Sequence, residues 1–356
     1  MNNYEQKLFE LLETVARQNA SDLHLSAGRA PTLRIDGSLI PNNKSDVLTP
    51  EDTEKFAEVI LNEEQQATLK KKRAIDVSYA YKNIARFRTN IYYQFNTISI
   101  AFRFIPAKIQ TIEELGLPEI LHKLTKFQQG LVLIVGPAGH GKSTTLAAII
   151  DEINKNRAEH IITIEDPIEY IFDQNRSIID QREVGRDTPD FSVALRDAFR
   201  QDPDIIMVGE MRDPETISTA ITAAETGHLV LATLHTNNAA QTMDRIIDSF
   251  PPEQQSQIRA QLALTLVGVV SQRLLPRIEG GRVPVVELMF ANPAIRNLIR
   301  ENKVHEISLV IETSADKGMI SMNRYLADLV KRGEVAMEVA ESYSLNPSEL
   351  KMLVNK

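Results

Sequence analysis

The run Gly136-Pro137-Ala138-Gly139-His140-Gly141-Lys142-Ser143-Thr144 holds the residue types that a polyphosphate site needs, at the spacing it needs them. Glycines at 136, 139 and 141 let backbone N–H groups crowd around anionic oxygens, and a helix N-terminus favours the same charge. Lys142 can neutralise the β- and γ-phosphates, and the Ser143 hydroxyl can take one position on Mg²⁺. An apolar run, Leu131–Val135, precedes the glycines, and Thr144–Ile153 reads as a helix. Strand, loop and helix in that order distinguish a phosphate loop from a Gly-rich turn. A nucleoside triphosphate is the expected ligand.

Splitting a triphosphate also needs an aligned water, a carboxylate to orient or deprotonate it, and compensation of charge. Two acidic segments follow apolar runs. Ile164-Glu165-Asp166-Pro167-Ile168-Glu169-Tyr170 brings three carboxylates into five residues, and Asp204–Val208 leads to Gly209-Glu210-Met211-Arg212-Asp213. An isolated acidic residue is more often a cap or a solvated charge; at the ends of strands neighbouring a phosphate loop, Mg²⁺-water contact is the better reading. His228 and His235 bracket the run Leu229–Leu234. They lie too far apart for a shared metal site, and His235, at the carboxyl end, is placed to meet a γ-phosphate. Arg86, Arg88 and Arg103 fall in a β-rich region outside the nucleotide domain. Surface salt bridging is their ordinary role; an arginine offered to a phosphoryl group from a second domain or subunit is the functional one.

The elements that must position these residues divide in two. The first portion reads as helix Asn3–Gln18, strand Asp22–Leu25, a hairpin Thr32–Ile35/Ser38–Ile40 around Asp36-Gly37, a helix pair over Pro50–Lys72, and three β-rich runs, Ala74–Tyr81, Ile84–Gln94 and Thr97–Ile105. Lys82-Asn83 and Phe95-Asn96 mark turns between the last three. Residues 106–118, with two prolines and Gly116, form the boundary. Beyond it Leu131–Val135, Ile161–Ile164, Ile205–Val208 and Leu229–Leu234 alternate with helical patterns, the signature of a parallel sheet. Ligands of such sheets bind at the carboxyl ends of the strands, so all four polar segments should share one edge. After about Phe250 the pattern is mostly helical, over Glu253–Arg273, Pro293–Glu301, Ser321–Arg332, Met337–Tyr343 and Pro347–Val354.

Composition narrows the classes. The chain has 356 residues, of which 43% are hydrophobic, enough for two or three cored domains. It has no cysteine, which excludes disulfides, thiol catalysis and Cys-based zinc sites. No apolar stretch reaches transmembrane length and residues 1–20 lack a signal-peptide core, so a cytoplasmic protein is expected. A formal charge of −8 argues against a nucleic-acid partner.

Several segments together resemble the secretion ATPase superfamily of type II secretion and type IV pili. They are Ser-Asp-Leu-His-Leu-Ser (21–26), Ala-Arg-Phe-Arg (85–88), the phosphate loop (136–143), Thr-Ile-Glu-Asp-Pro-Ile-Glu-Tyr (163–170) and Gln-Arg-Glu-Val (181–184). Asp-Pro-Asp-Ile-Ile-Met-Val-Gly-Glu-Met-Arg-Asp (202–213) and Thr-Gly-His-Leu-Val-Leu-Ala-Thr-Leu-His-Thr (226–236) complete the set. Ala-Ile-Arg-Asn-Leu-Ile-Arg-Glu (294–301) is similar to a motif of the pilus retraction ATPases, and no tetracysteine zinc loop of the extension ATPases is present.

The resemblance implies an α/β chain: a PAS-like α+β N-terminal domain (1–105), a linker (106–118), and a RecA-like P-loop NTPase domain (119–356) with a helical C-terminal portion from about 290. It implies a homohexamer that hydrolyses ATP with Mg²⁺ and drives pilus retraction through an inner-membrane platform protein. An accessory retraction ATPase would be a further partner, and the ring would sit on the inner face of the cytoplasmic membrane. Glu169 becomes the general base and Glu210 the Mg²⁺ carboxylate acting through water, while His228 and His235 fall on the family's histidine box. Ala138 and His140 replace the more usual Thr and Ser. An accessory retraction or secretion/DNA-uptake pilus ATPase of the same superfamily is the alternative, and a RecA-like nucleic-acid translocase a more distant one.

Overall fold

The computed structural model describes residues 3–18, 20–35, 37–43, 45–81, 85–106 and 108–355. Asp36 and the expected Lys82-Asn83 turn lie outside them. The chain packs as two units, Met1–Lys108 with Pro167–Ile171, and Ile109–Asp166 with Phe172–Lys356.

The first unit begins with α1 (Asn3–Arg17), β1 (Asp22–Ser26), β2 (Thr32–Ile35) and β3 (Ser38–Pro41). It continues with α2 (Pro50–Ile60), α3 (Glu63–Lys72), β4 (Ala74–Tyr81), β5 (Ala85–Gln94) and β6 (Thr97–Pro106). Both middle helices start on reciprocal capping boxes, Thr49/Asp52 and Asn62/Gln65, which satisfy the first free N–H groups of each. Among the described residues the strands form a six-stranded sheet in the order β3-β2-β1-β6-β5-β4, antiparallel at every neighbour. Burial alternates along β5: Phe87, Thr89 and Ile91 face the core while Arg86, Arg88 and Asn90 do not. Leu8, Leu12 and Val15 of α1 and Phe56 of α2 cover that core face with Leu23, Leu25, Ile100 and Phe102. The β5–β6 turn places Phe95 and Asn96 at φ +46° and +59°, the left-handed pair that matches the twist of a two-residue hairpin.

The second unit opens with a 3₁₀ turn, Glu119–Lys126, and alternates strand and helix. Its elements are β7 (Gly130–Val135), α4 (Lys142–Asn156), β8 (His160–Glu165), β9 (Ile178–Glu183), α5 (Phe191–Ala198), β10 (Ile205–Val208), α6 (Pro214–Glu225) and β11 (Leu229–Leu234). Then come α7 (Ala239–Ile247), α8 (Pro252–Thr265), β12 (Leu266–Pro276), β13 (Arg282–Phe290), α9 (Pro293–Arg300), α10 (Ile307–Thr313), α11 (Met322–Lys331), α12 (Met337–Tyr343) and α13 (Pro347–Asn355). Among the described residues the sheet order is β13-β12-β7-β11-β10-β8-β9, parallel throughout except for the β12–β13 pair. β7, β10 and β11 are buried at every position, as strands covered on both faces must be.

One expectation fails here. The helix predicted over Glu253–Arg273 ends at Thr265, and the chain turns into β12. Leu266-Val-Gly-Val-Val is a β-branched run buried on both faces, parallel to β7 on one side and antiparallel to β13 on the other. A Cβ at Gly268 would stand 2.7 Å from the Met289 carbonyl, a closeness of backbones that a helix there would not need. β13 falls between the helices expected over Glu253–Arg273 and Pro293–Glu301, where no element was expected. No helix among the described residues is long and apolar enough to cross a membrane.

Candidate nucleotide site

Strand order brings the chemistry of the second unit together. β7, β11, β10 and β8 are consecutive neighbours and parallel, so the phosphate loop, His235, Glu210 and Glu165 follow one another along a single edge.

The phosphate loop leaves β7 at Gly136, whose φ of +148° is closed to ordinary side chains. A Cβ there would stand 2.2 Å from the Gln272 carbonyl on β12. Gly141, at φ +81°, opens α4. Lys142 is buried, and its ammonium donates to the carbonyls of Gly136 at 2.8 Å and Pro137 at 3.0 Å. It also lies 3.1 Å from His235 Nδ1. An ammonium only donates, so Nδ1 accepts and the imidazole proton sits on Nε2. That nitrogen lies 3.2 Å from Glu210 Oε1, while Arg212 Nη2 holds Oε2 at 2.7 Å. Burial alone would raise the Glu210 pKa, but the Arg212 guanidinium, through its hydrogen bond and charge, and the hydrogen-bonded His235 ring outweigh it and hold the carboxyl below its usual range. The result is a polar relay, Lys142 to His235 to Glu210 to Arg212, across three neighbouring strand ends.

Backbone bonds fix the relay's frame. Thr233 Oγ1 donates to the Gly209 carbonyl at 2.5 Å, and Met211 N–H to the Thr233 carbonyl, which ties the Glu210 turn to β11. Glu165 is buried and accepts from Thr163 Oγ1 at 2.7 Å and Gln181 Nε2 at 3.2 Å, so its carboxylate is engaged in structure. Ser143 and Thr144 stand half-buried in the first turn of α4. Ala138 and Gly139 form the exposed crown of the loop, with Pro137 and His140 half-buried on either side.

His228 stays at the other end of β11, about 20 Å of strand from His235. Its Nδ1 lies 3.0 Å from the Ala223 carbonyl, and its ring packs edge-on against Phe199. It is thus not brought together with Lys142, His235 and Glu210.

The remaining residues belong to the first unit. Arg88 and Arg103 are cross-strand partners on β5 and β6, and Arg86 shares their face. Arg103 Nε donates to Asp22 Oδ1 at 3.1 Å, and Arg34 Nε lies 3.7 Å from Oδ2 of the same carboxylate. Arg86 Nη2 donates to Ser78 Oγ at 2.7 Å. Glu169 lies on the segment Pro167–Ile171, which packs in this unit, and its Oε1 is 3.9 Å from Arg88 Nη1.

Sequence reasoning missed Gln272 because its strand was read as helix. The 294–301 motif is placed as a core-facing helix: Ile295 and Ile299 are fully buried, Arg300 is exposed, and Arg296 donates to the carbonyls of Ala263, Leu264, Leu266 and Ala291. Arg296 therefore closes the C-terminal end of α8.

A phosphate loop entering a parallel sheet, with an acidic strand end and a histidine beside its lysine, defines a nucleotide-binding ATPase core. A family model described as type II/IV secretion system protein matches residues 4–338, and the chain belongs to that family. Within it, the chain is 46% identical over 338 residues to the type IV pilus retraction ATPase PilT of Pseudomonas aeruginosa, covering 95% of this chain and 98% of that protein. It is 41% identical over 346 residues to the type IV pilus ATPase PilU of the same organism, covering 97% and 90%. A crystal structure of the pilus retraction motor PilT with bound ADP superposes with a TM-score of 0.87 at 47% identity, covering 97% of this chain and 98% of that one.

Proposed function

We propose that this chain is an ATPase that powers type IV pilus retraction. The observation that carries the reading is the Lys142–His235–Glu210 relay at a phosphate loop, in a chain alike over nearly its whole length to a pilus retraction ATPase. Lys142 takes the β- and γ-phosphates of ATP, exchanging its loop carbonyls for phosphate oxygens. The loop amides over 136–144 cradle the rest. Ser143 Oγ and, through water, Glu210 would hold Mg²⁺; an anionic carboxylate and a hydroxyl are the hard oxygen donors that ion takes. Mg²⁺, when bound, neutralises phosphate charge. Glu169 serves as general base, His235 reports the γ-phosphate to Glu210, and His228 serves as the second histidine of the box. Arg86, Arg88 and Arg103 compensate charge on the transferring group from a neighbouring subunit.

The working form is a homohexamer, with residues 1–105 as a PAS-like domain, 106–118 as linker and 119–356 as the RecA-like domain. It acts peripherally, on the cytoplasmic face of the inner membrane, on a platform protein of the pilus machine and beside an accessory retraction ATPase. Nucleic acid is not its track. The likeness to PilU supports a second reading, in which this chain is itself the accessory motor.

The test is ATPase turnover of wild type and Glu169→Gln, with mass by light scattering in the same samples. A hexamer that turns over ATP, and a variant that assembles and binds ATP without turnover, is the expected result. A wild-type monomer without turnover, or turnover that requires DNA, overturns the reading.

A further inference from the structure

Strand β12 meets the phosphate loop at points that no motif signalled. Gln272 is buried at 3% exposure, and both ends of its side-chain amide are used. Nε2 donates to the His140 carbonyl at 2.9 Å, and Oε1 accepts from Thr145 Oγ1 at 2.7 Å. Its backbone carbonyl is the atom against which Gly136 makes its close approach. Two residues on, the Leu274 N–H donates to His140 Nδ1 at 2.9 Å. The start of the loop at Gly136, His140 beside its crown and the first turn of α4 are thus all referenced to residues 272–274.

Because Nδ1 accepts, the His140 ring is neutral with its proton on Nε2. Burial first, then the nearby charges of Arg273, Lys142 and Arg282, lower the pKa of this ring and keep it an acceptor. The Leu274 half of the clasp needs the His140 ring, whereas the Gln272 half needs only the His140 backbone carbonyl.

We infer that Gln272 and His140 are positioning residues for nucleotide binding, which clamp the phosphate loop onto β12 so that its amides converge before phosphate arrives. The inference rests on the reading of 136–144 as a nucleotide site. A loop with three glycines is costly to order, and an unclamped one would be ordered at the expense of binding free energy. Such a loss falls on ground state and transition state alike, and so appears in Kd and KM with little effect on kcat.

The experiment is titration of the full chain with a fluorescent ADP analogue, KM and kcat for ATP, and thermal midpoints, for wild type, Gln272→Met, His140→Leu and His140→Asn. Gln272→Met should weaken nucleotide binding about tenfold, the worth of its two lost hydrogen bonds. His140→Leu should weaken it several-fold, and His140→Asn, whose Oδ1 stands where Nδ1 stood, should recover most of that loss. Thr145→Val combined with Gln272→Met should cost less than the sum of the two, since they share a bond. Unchanged Kd with a lowered thermal midpoint, or an Asn variant as weak as the Leu variant, overturns the inference while the nucleotide site stands. Wild type that binds no nucleotide overturns both.

Discussion

In the seven-stranded sheet the polar chemistry stands off the ends of strands, whereas in the six-stranded sheet it runs across a face. The parallel strands β7, β10 and β11 are buried at every position, so charged side chains on them wait for the strand to end, and parallel order then gathers those ends at one edge. The antiparallel strands alternate, so a polar residue can sit at any second position. Register lines up Arg34, Asp22, Arg103, Arg88 and Ser78 in a single row over β2, β1, β6, β5 and β4. Like charges directly opposite, as Arg103 and Arg88 are, repel. Asp22 on one side and Glu169 on the other offset that repulsion. An edge concentrates contacts on a few atoms; a face holds a charged surface whose members are graded in effect.

That contrast predicts the sizes of mutational effects. The largest should come at the edge. Lys142→Ala removes the buried ammonium and with it three contacts, and should lower ATP turnover by about 10³-fold without changing the mass of the assembly. Turnover within tenfold of wild type would remove Lys142 from the reaction. His235→Ala and Glu210→Gln should each cost about 10²-fold, and the double variant scarcely more, because the relay acts as a unit. Full additivity would mean that the 3.2 Å pair is not coupled.

On the face, Arg88→Ala and Arg103→Ala should lower kcat about tenfold each while leaving nucleotide affinity and thermal midpoint near wild type. If instead Arg103→Ala and Asp22→Asn both lower the midpoint and leave kcat alone, the row is only a salt-bridged surface. Arg296→Ala tests a third kind of placement, at the end of a helix. Its guanidinium closes three carbonyls at the end of α8 and a fourth at Ala291, so the variant should lose about 2 kcal/mol in denaturant unfolding while the turnover of folded protein persists. Normal stability with lost retraction would make it a surface for the pilus machine.

Much of this was legible in the residues. Short apolar runs bounded by glycine and acidic residues gave the four parallel strands, because a strand buried on both faces must be apolar throughout. Three β-rich runs separated by turn signals, Phe95-Asn96 among them, gave the strands of the antiparallel region. β12 was not legible: its two-sided burial produces the same unbroken apolar pattern as a buried helix, and the long helical run of α8 leads directly into it. With β12 went Gln272, whose role depends on contact across more than a hundred residues. The 294–301 helix shows the reverse case, since its apolar stripe is plain in sequence but the partner of Arg296, a helix end thirty residues earlier, is not.

The smallest effect should come from a histidine that serves neither edge nor face. His122 lies 2.7 Å from Glu113 through Nε2 and 2.7 Å from Glu152 of α4 through Nδ1. Two carboxylates on two ring nitrogens require both to donate, which only the imidazolium does. Burial lowers this histidine's pKa, but hydrogen bonds and charges from Glu152 and then Glu113 outweigh it, and the net direction is up. Asp151 and Lys155, paired with each other, line the same cavity and change its net charge little. A raised folded-state pKa contributes stability that is complete below the ordinary histidine value of about 6.5 and is lost as pH rises through the raised one. His122→Gln should therefore lower the thermal midpoint at pH 6, with the gap to wild type closing by pH 9. Hydrogen exchange over residues 109–118, which carry Glu113, should quicken in wild type over the same span. A gap independent of pH would mean that the ring packs as a neutral group, and the pairing with Glu113 and Glu152 would then hold no charge.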